Sequence, residues 1–294
     1  MLSYGIAILY ALFLWWFSTG LILYLDKRPA WTYRWSLLGA TALMVVAMLT
    51  LYLVRGQTNV LGAYIGFTCG VLTWGWMEMS YFMGFVTGPR KAECPQGCSG
   101  WRRFWLAIQT SLYHELSIVA AGGAMLWATW EAPNQVGTWT FVILWWMRWS
   151  AKLNLFFGVP NLNEDWLPEH IRFLTSYLCK RPMNLLFPIS VSVATVVMCL
   201  LVVAALDVPP NGFAGVALIL TATLLALAIL EHWFLVLPLA DGALWNWALG
   251  EREDALGLSS DRARADPAAQ TDSSRQRWRD GPIALALQRL IESG

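Results

Sequence analysis

The chain has 294 residues, of which 57% are hydrophobic and 13% are charged, and its formal net charge is +1. A soluble protein of this length cannot bury so much apolar side chain in one core, so the bilayer must solvate most of it. This composition excludes an ordinary soluble enzyme, and we expect no nucleic-acid partner. It predicts an integral membrane protein whose immediate surroundings are membrane lipid.

Seven stretches of predominantly apolar residues follow one another along the chain. A membrane-spanning helix needs about 20 such residues, and no soluble domain separates the stretches. We therefore predict an all-α fold, a bundle of about seven transmembrane helices within residues 1–249. The stretches are approximately residues 4–25, 35–54, 60–87, 104–130, 138–157, 184–206 and 212–240.

Lysine and arginine alternate between the loops. The first, third and fifth loops and the C-terminal tail are basic. The second, fourth and sixth loops together hold a single basic residue, Arg55. Cytoplasmic loops of membrane proteins carry the excess of Lys and Arg. The pattern predicts an N-terminus outside the cytoplasm and a C-terminus inside it.

Residues 250–294 differ in composition from the rest of the chain. They are polar, carry charges of both signs and are rich in Ser, Asp and Ala. Such a segment cannot bury enough apolar surface to fold alone. We predict a disordered cytoplasmic tail that ends in a short amphipathic helix, "PIALALQRLIESG".

Five cysteines are scattered along the sequence and do not form a disulfide framework. Cys94 and Cys98, in the third loop, have the spacing of half a zinc site, but no second pair follows them. The simpler expectation is a pair of reduced loop cysteines.

The fifth loop, "GVPNLNEDWLPEHIRFL", covers residues 158–174 and carries the most polar motif between helices. It places Asn163, Glu164 and Asp165 on the cytoplasmic side, followed by a helical pattern that begins near Pro168. Glu169 and His170 open that pattern. These polar residues either close over the membrane domain as a cap or belong to an ordinary interfacial helix.

Ionisable side chains inside the predicted spans are the strongest functional signal. Each costs roughly 2.5–3.5 kcal/mol at the bilayer centre even on a lenient insertion scale, so each is a candidate site residue. With a rise of about 1.5 Å per residue, three of the helices place acid or imidazole at one depth, roughly 26–30 Å from the outer loops. Arg148 and Lys152 are one turn apart and share a face of the fifth helix. The candidates are Glu78, His114, Glu115, Arg148, Lys152, Glu231 and His232.

Three interpretations of this set are open from the residues alone. A di-iron site in a helical bundle uses carboxylates and Glu-x-x-His pairs, whereas here Glu and His are adjacent and point about 100° apart. A tetrapyrrole could instead be ligated by His114 or His232 and packed against the many tryptophans. In the third interpretation nothing is bound: Glu78 and Glu231 pair with Arg148 and Lys152, and the histidines bond across helices.

Five motifs, in this order along a seven-helix chain, resemble the PuhE family over residues 1 to about 250. Members of that family are described as photosynthetic complex assembly proteins of anoxygenic phototrophic bacteria, with genes near that of the reaction-centre H subunit. The motifs are "EMSYFMGFVTGPR" (78–90), "YHE" (113–115), "KLNLFFGVPNLN" (152–163), "LPEHIRFLTSY" (167–177) and "LEHWFLVLPL" (230–239).

The resemblance implies a multi-pass protein of the inner membrane, and the alternation of basic loops then places its N-terminus in the periplasm. It implies a factor that helps to assemble the reaction centre or modulates bacteriochlorophyll supply, with reaction-centre subunits or pigment-synthesis proteins as partners. The resemblance names no ligand for the charged cluster: bacteriochlorophyll or a precursor is one candidate, and iron or zinc is less favoured. A metal-dependent, di-iron-like membrane oxidase or hydroxylase acting on a tetrapyrrole or lipid is the alternative function. The resemblance brings no catalytic residues with it.

Overall fold

Seven α-helices account for most of the described residues of the computed structural model, which are residues 2–162, 167–237 and 244–245. The all-α fold is confirmed, and one helix overlaps each predicted apolar stretch. The helices are α1 (Leu2–Asp26), α2 (Tyr33–Val54), α3 (Val60–Phe82), α4 (Gly100–Ala128), α5 (Val136–Phe157), α6 (Leu186–Leu206) and α7 (Phe213–Phe234).

Two helices end earlier than predicted: α3 ends at Phe82 and not near residue 87, and α7 ends at Phe234 and not near residue 240. In both places the apolar pattern continues past the helix into a turn. The fifth loop contains a 3₁₀ helix, Glu169–Tyr177. This helix begins directly after Pro168, as predicted. The predicted tail, residues 250–294, and the loop residues Asn163, Glu164 and Asp165 lie outside the described residues.

The helices expose apolar side chains to their surroundings, as a protein dissolved in lipid must. On α6, for example, Ile189, Val196 and Leu200 are each more than half exposed. By length and composition, α1, α2, α3, α6 and α7 are able to cross a membrane. The described part of the chain is therefore a membrane protein. The two other helices, α4 and α5, are the ones that carry the charged residues Glu115, Arg148 and Lys152.

Helix α3 packs against α1, α2, α4, α5 and α7 and is thus central to the bundle. Three glycines spaced four residues apart, Gly62, Gly66 and Gly70, line its contact side. A Cβ atom on Gly70 would lie 2.6 Å from the carbonyl oxygen of Gly137 on α5, and one on Gly137 would lie 2.6 Å from that of Gly66. The two backbones therefore touch, which only small residues allow.

A buried asparagine connects three helices by hydrogen bonds at the start of α5. Asn134 has no exposed surface, and its Nδ2 donates hydrogen bonds to the carbonyl oxygens of Val54, at 3.3 Å, and Gly62, at 3.0 Å. Its Oδ1 accepts a hydrogen bond from the amide of Val136 at 3.3 Å. One side chain thus joins α2, α3 and α5.

Two further asparagines connect the helices at the opposite end. Asn161 Nδ2 donates to the carbonyl oxygen of Phe234 at 2.9 Å, where α7 ends. Asn184 Oδ1 accepts from the amide of Leu186 at 2.9 Å and so caps α6, while its Nδ2 donates to the carbonyl oxygen of Gly158 at 2.9 Å. These bonds join the ends of α5 and α7 to the start of α6.

The cysteines of the α3–α4 loop correct one expectation. Cys94 and Cys98 form a disulfide and are not a pair of reduced thiols. The intervening residues Pro95, Gln96 and Gly97 turn the chain, which brings the two Cα atoms within 6.2 Å. This separation lies within the usual range for a disulfide. The turn could not be inferred from the spacing of the cysteines alone.

The backbone contact between α3 and α5 generates a stability prediction. Gly70→Ala would place a methyl group against Gly137 and Thr140, so we expect it to lower the free energy of unfolding by about 1–3 kcal/mol. Gly75→Ala is the matched control on the same helix, because its methyl group would meet only Ile22 Cδ1, at 3.9 Å. Denaturant unfolding in detergent, followed by tryptophan fluorescence, measures both variants. Equal stability of the two would contradict the proposed contact.

Candidate functional site

Two ion pairs join α5 to its neighbours in the half of the bundle where α3, α5 and α7 end. Arg148 Nη2 lies 3.0 Å from Glu78 Oε2 on α3. One turn further along α5, Lys152 Nζ lies 2.5 Å from Glu115 Oε1 on α4. Each cation of the shared α5 face therefore has its own carboxylate, on a different helix.

The surroundings of the two carboxylates differ. Glu115 is satisfied on both oxygens, because Oε2 accepts a hydrogen bond from Trp149 Nε1 at 2.6 Å. Glu78 Oε1 and Arg148 Nε are buried and have no hydrogen-bond partner. A buried charge is costly unless it is paired and hydrogen-bonded. The Glu78–Arg148 pair is thus the less completely satisfied of the two.

His114 is a buried imidazole without hydrogen bonds. Its side chain has no exposed surface, and neither Nδ1 nor Nε2 has a partner. The ring packs against that of Tyr81, with centroids 4.6 Å apart and planes tilted by 40°. Because buried polar atoms nearly always have partners, unpaired ring nitrogens mark an unusual position.

The loop after α3 holds the part of α4 that carries His114. The amide of His114 donates to the carbonyl oxygen of Thr87 at 2.9 Å, and the amide of Arg90 donates to that of Gln109 at 3.3 Å. Between them, a Cβ atom on Gly88 would lie 2.1 Å from the Gln109 oxygen. Only glycine permits so close an approach, which gives the "TGPR" end of the first motif its structural role.

His232 forms a joint between α7 and α5. It is 1% exposed, and its Nδ1 lies 2.8 Å from the carbonyl oxygen of Ala228 while Nε2 lies 2.9 Å from Ser150 Oγ. A carbonyl oxygen only accepts, so in the neutral ring Nδ1 donates and Nε2 accepts from the serine hydroxyl. Both ring nitrogens are therefore occupied, and His232 cannot ligate a metal without losing a bond.

Glu231 belongs to a different surface from His232, as expected for consecutive residues on a helix. Its Oε1 accepts a hydrogen bond from Trp15 Nε1 on α1 at 2.7 Å, and the residue is exposed. Trp15 in turn packs edge-on against Trp245, with centroids 5.4 Å apart. The third interpretation paired Glu231 with a cation of α5, but Lys152 pairs with Glu115 instead.

The two candidates of the fifth loop lie away from the ion pairs. Glu169 is exposed and forms a salt bridge with Arg172 at 3.4 Å. His170 is also exposed, and its ring lies beside Gly84 and 6.5 Å from that of Tyr33. Within the described chain His170 lies beside the turn that follows α3, and neither residue bonds the charged residues of α5.

Three of the candidates, Glu78, Glu115 and His232, thus bond to one stretch of α5. Arg148, Ser150 and Lys152 receive side chains from α3, α7 and α4 respectively. Ser150 was missed in the sequence because a serine inside a helix is common, although it sits between the two cations. Among the described residues, no group of three or more His, Cys, Asp or Glu side chains could hold a shared metal ion.

Fold and site together define a multi-pass α-helical membrane protein whose charged residues pair across the bundle. The chain belongs to the family described as a protein of unknown function, DUF3623, which matches residues 1–256. It is 37% identical over 247 residues to the "Uncharacterized 30.4 kDa protein in puhA 5'region" of Rhodobacter capsulatus. That match covers 83% of this chain and 90% of the relative. No solved structure matches the chain significantly.

The ion pairs generate a second prediction. Glu78→Gln leaves Arg148 without its counter-charge, so we expect a loss of about 3 kcal/mol or more in the free energy of unfolding. The double variant Glu78→Gln with Arg148→Met should recover part of that loss, because no unpaired charge is left.

The matched control is the exposed salt bridge between Glu169 and Arg172. Glu169→Gln should change stability by less than about 1 kcal/mol. A double-mutant cycle measured by denaturant unfolding in detergent gives the coupling energy of each pair. Coupling energies that do not differ between the two pairs would show that the intramembrane pair is not a stabilising contact.

Proposed function

We propose that this chain is a PuhE-type inner-membrane factor that assists assembly of the photosynthetic reaction centre or modulates bacteriochlorophyll supply. The observation that carries the proposal is the relative from Rhodobacter capsulatus, which is named for its place in the puhA 5' region. The motif resemblance supports the same assignment, because PuhE genes lie near the gene of the reaction-centre H subunit.

The geometry of the site supports a helper role more than catalysis. Four charged residues neutralise one another in two pairs, and His232 is held by two hydrogen bonds. A metal-dependent oxidase needs carboxylates and imidazoles that converge on one point. No observation on the described residues favours that alternative.

Of the two histidines within α-helices, only His114 has free ring nitrogens. A chlorin magnesium would need one of them, yet the ring is fully buried against Tyr81. A macrocycle would have to displace this packing to reach His114. The geometry therefore favours action on partner proteins, either reaction-centre subunits or pigment-synthesis proteins, over storage of pigment inside the bundle.

The proposed orientation in the inner membrane follows from the alternation of basic loops. It places the N-terminus in the periplasm and the loop between α3 and α4 in the cytoplasm. Reporter fusions at Arg90 and at the C-terminus should be active in the cytoplasm, and a fusion at Asn134 should be active in the periplasm. An exported C-terminal reporter would refute this orientation.

The functional prediction uses a phototrophic strain that lacks the gene, complemented with variants of this chain. Loss of the chain should reduce reaction-centre absorbance and bacteriochlorophyll. His114→Ala removes no side-chain hydrogen bond but leaves a cavity beside Tyr81, so we expect it to lower the abundance of the chain, and reaction-centre and pigment levels only in proportion. Normal reaction-centre and pigment levels in the deletion strain would overturn the proposed function.

His232→Ala separates a structural role from a functional one. It removes bonds to Ala228 and Ser150, so we expect it to lower the abundance of the chain itself. Interhelical hydrogen bonds in membranes contribute roughly 0.6–2 kcal/mol. Glu169→Gln serves as the neutral control. Immunoblots of membranes give abundance, and absorbance spectra of the same membranes give pigment and reaction-centre content.

A further inference from the structure

The α3–α4 loop contains a hydrogen-bonded turn that is flanked by two cysteines. Cys94 and Cys98 bracket Pro95, Gln96 and Gly97, and the amide of Cys98 donates to the carbonyl oxygen of Pro95 at 3.0 Å. Gly97 has a φ of 74°, which glycine adopts without strain. A positive φ at the third position is the signature of a type II turn. The turn therefore places both sulfurs side by side at the surface.

The loop is held in place by bonds that do not involve the sulfurs. The amide of Cys94 donates to Ser176 Oγ at 2.8 Å. Arg90 donates from Nε to Tyr177 Oη at 2.6 Å and from Nη2 to the carbonyl oxygen of Glu93 at 2.8 Å. Opening the disulfide would therefore leave the loop anchored to the 3₁₀ helix and to α4.

Charged residues flank the pair in the sequence: Arg90, Lys91 and Glu93 precede it, and Arg102 and Arg103 follow it in the first turn of α4. Of these, Arg90 bonds Tyr177 and Arg103 bonds Cys179. The proposed orientation places this loop in the cytoplasm, where thiols are kept reduced and the disulfides that do form are transient, catalytic or redox-sensing.

We propose that Cys94 and Cys98 form a reversible thiol–disulfide site that exchanges with small disulfides of the glutathione class. This inference rests on the orientation given with the proposed function and goes beyond that function. The pair lies in the loop whose residues Thr87 and Gly88 contact α4. Cys94 follows Thr87 by seven residues.

The exchange takes two steps. One cysteine thiolate attacks a sulfur of oxidised glutathione, forms a mixed disulfide and releases one glutathione thiolate. The thiolate of the second cysteine then attacks the protein sulfur of the mixed disulfide and releases the second glutathione. The two protein thiols lose two protons and two electrons, and one small disulfide becomes two thiols.

The test uses membrane vesicles that contain the full chain, equilibrated at several ratios of reduced to oxidised glutathione. The protein is denatured in a small maleimide, which blocks every free thiol including buried Cys69, and it is then reduced and treated with a polyethylene-glycol maleimide. Each cysteine that was in a disulfide thereby gains one tag on a gel. We expect two tags in oxidised glutathione and none in reduced glutathione.

Three variants are the matched controls. Cys94→Ser and Cys98→Ser should each show at most one tag, from a mixed disulfide that cannot be resolved. Cys199→Ser, which removes an exposed cysteine of α6, should behave like the natural chain. Two tags at every ratio would show a permanent structural disulfide and overturn the proposal. No tags in oxidised glutathione would overturn it as well. This holds even if a zinc chelator makes the tags appear, because the pair would then be a zinc site.

Labelling with a membrane-impermeant maleimide tests the orientation of the loop independently of the thiol exchange. Blocking of Cys94 and Cys98 from the cytoplasmic face alone supports the orientation, whereas blocking from the periplasmic face alone overturns both the orientation and a cytoplasmic exchange. Failure to exchange with the correct sidedness overturns only the thiol proposal. The deletion phenotype tests the proposed function and does not enter this measurement.

Discussion

Charge pairing across α5 is the constraint on which the polar half of the bundle depends. An arginine and a lysine one turn apart cannot face lipid without large cost, so each needs a carboxylate from a neighbouring helix. Glu78 brings α3 to Arg148, and Glu115 brings α4 to Lys152. Because a broken buried pair is far more costly than an intact one, the two pairs fix how α3 and α4 are oriented against α5.

The two halves of α5 contact their neighbours through different kinds of interaction. Near its start, Gly137 touches the backbone of α3 at Gly66 and Gly70, and Asn134 bonds the neighbouring helix ends. Toward its end, charge pairs and the Ser150–His232 bond replace close backbone contact. In lipid no hydrophobic force drives helices together, so close packing and polar bonds must do so. α5 uses both.

The histidines divide by their surroundings, and this division shapes the functional proposal. His232 is a structural joint with both nitrogens bonded, and His170 lies at the surface beside Gly84. His114 alone among the three is buried with free nitrogens, and the α3–α4 loop holds its backbone. The same loop carries the Cys94–Cys98 disulfide, so one loop both bonds the backbone at His114 and holds the proposed thiol–disulfide site.

The sequence by itself determined the seven helices, the shared face of Arg148 and Lys152 and the start of a helix near Pro168, because apolar runs and helical periodicity are local properties. It also determined that Glu231 and His232 point in different directions. Only the tertiary structure decided that Lys152 pairs with Glu115 and that Asn134 closes one end of the bundle. Periodicity encodes depth and face along one helix, but it does not say which helix lies opposite. That choice depends on backbone contacts such as those of Gly70 and Gly137, which are made between residues far apart in the chain.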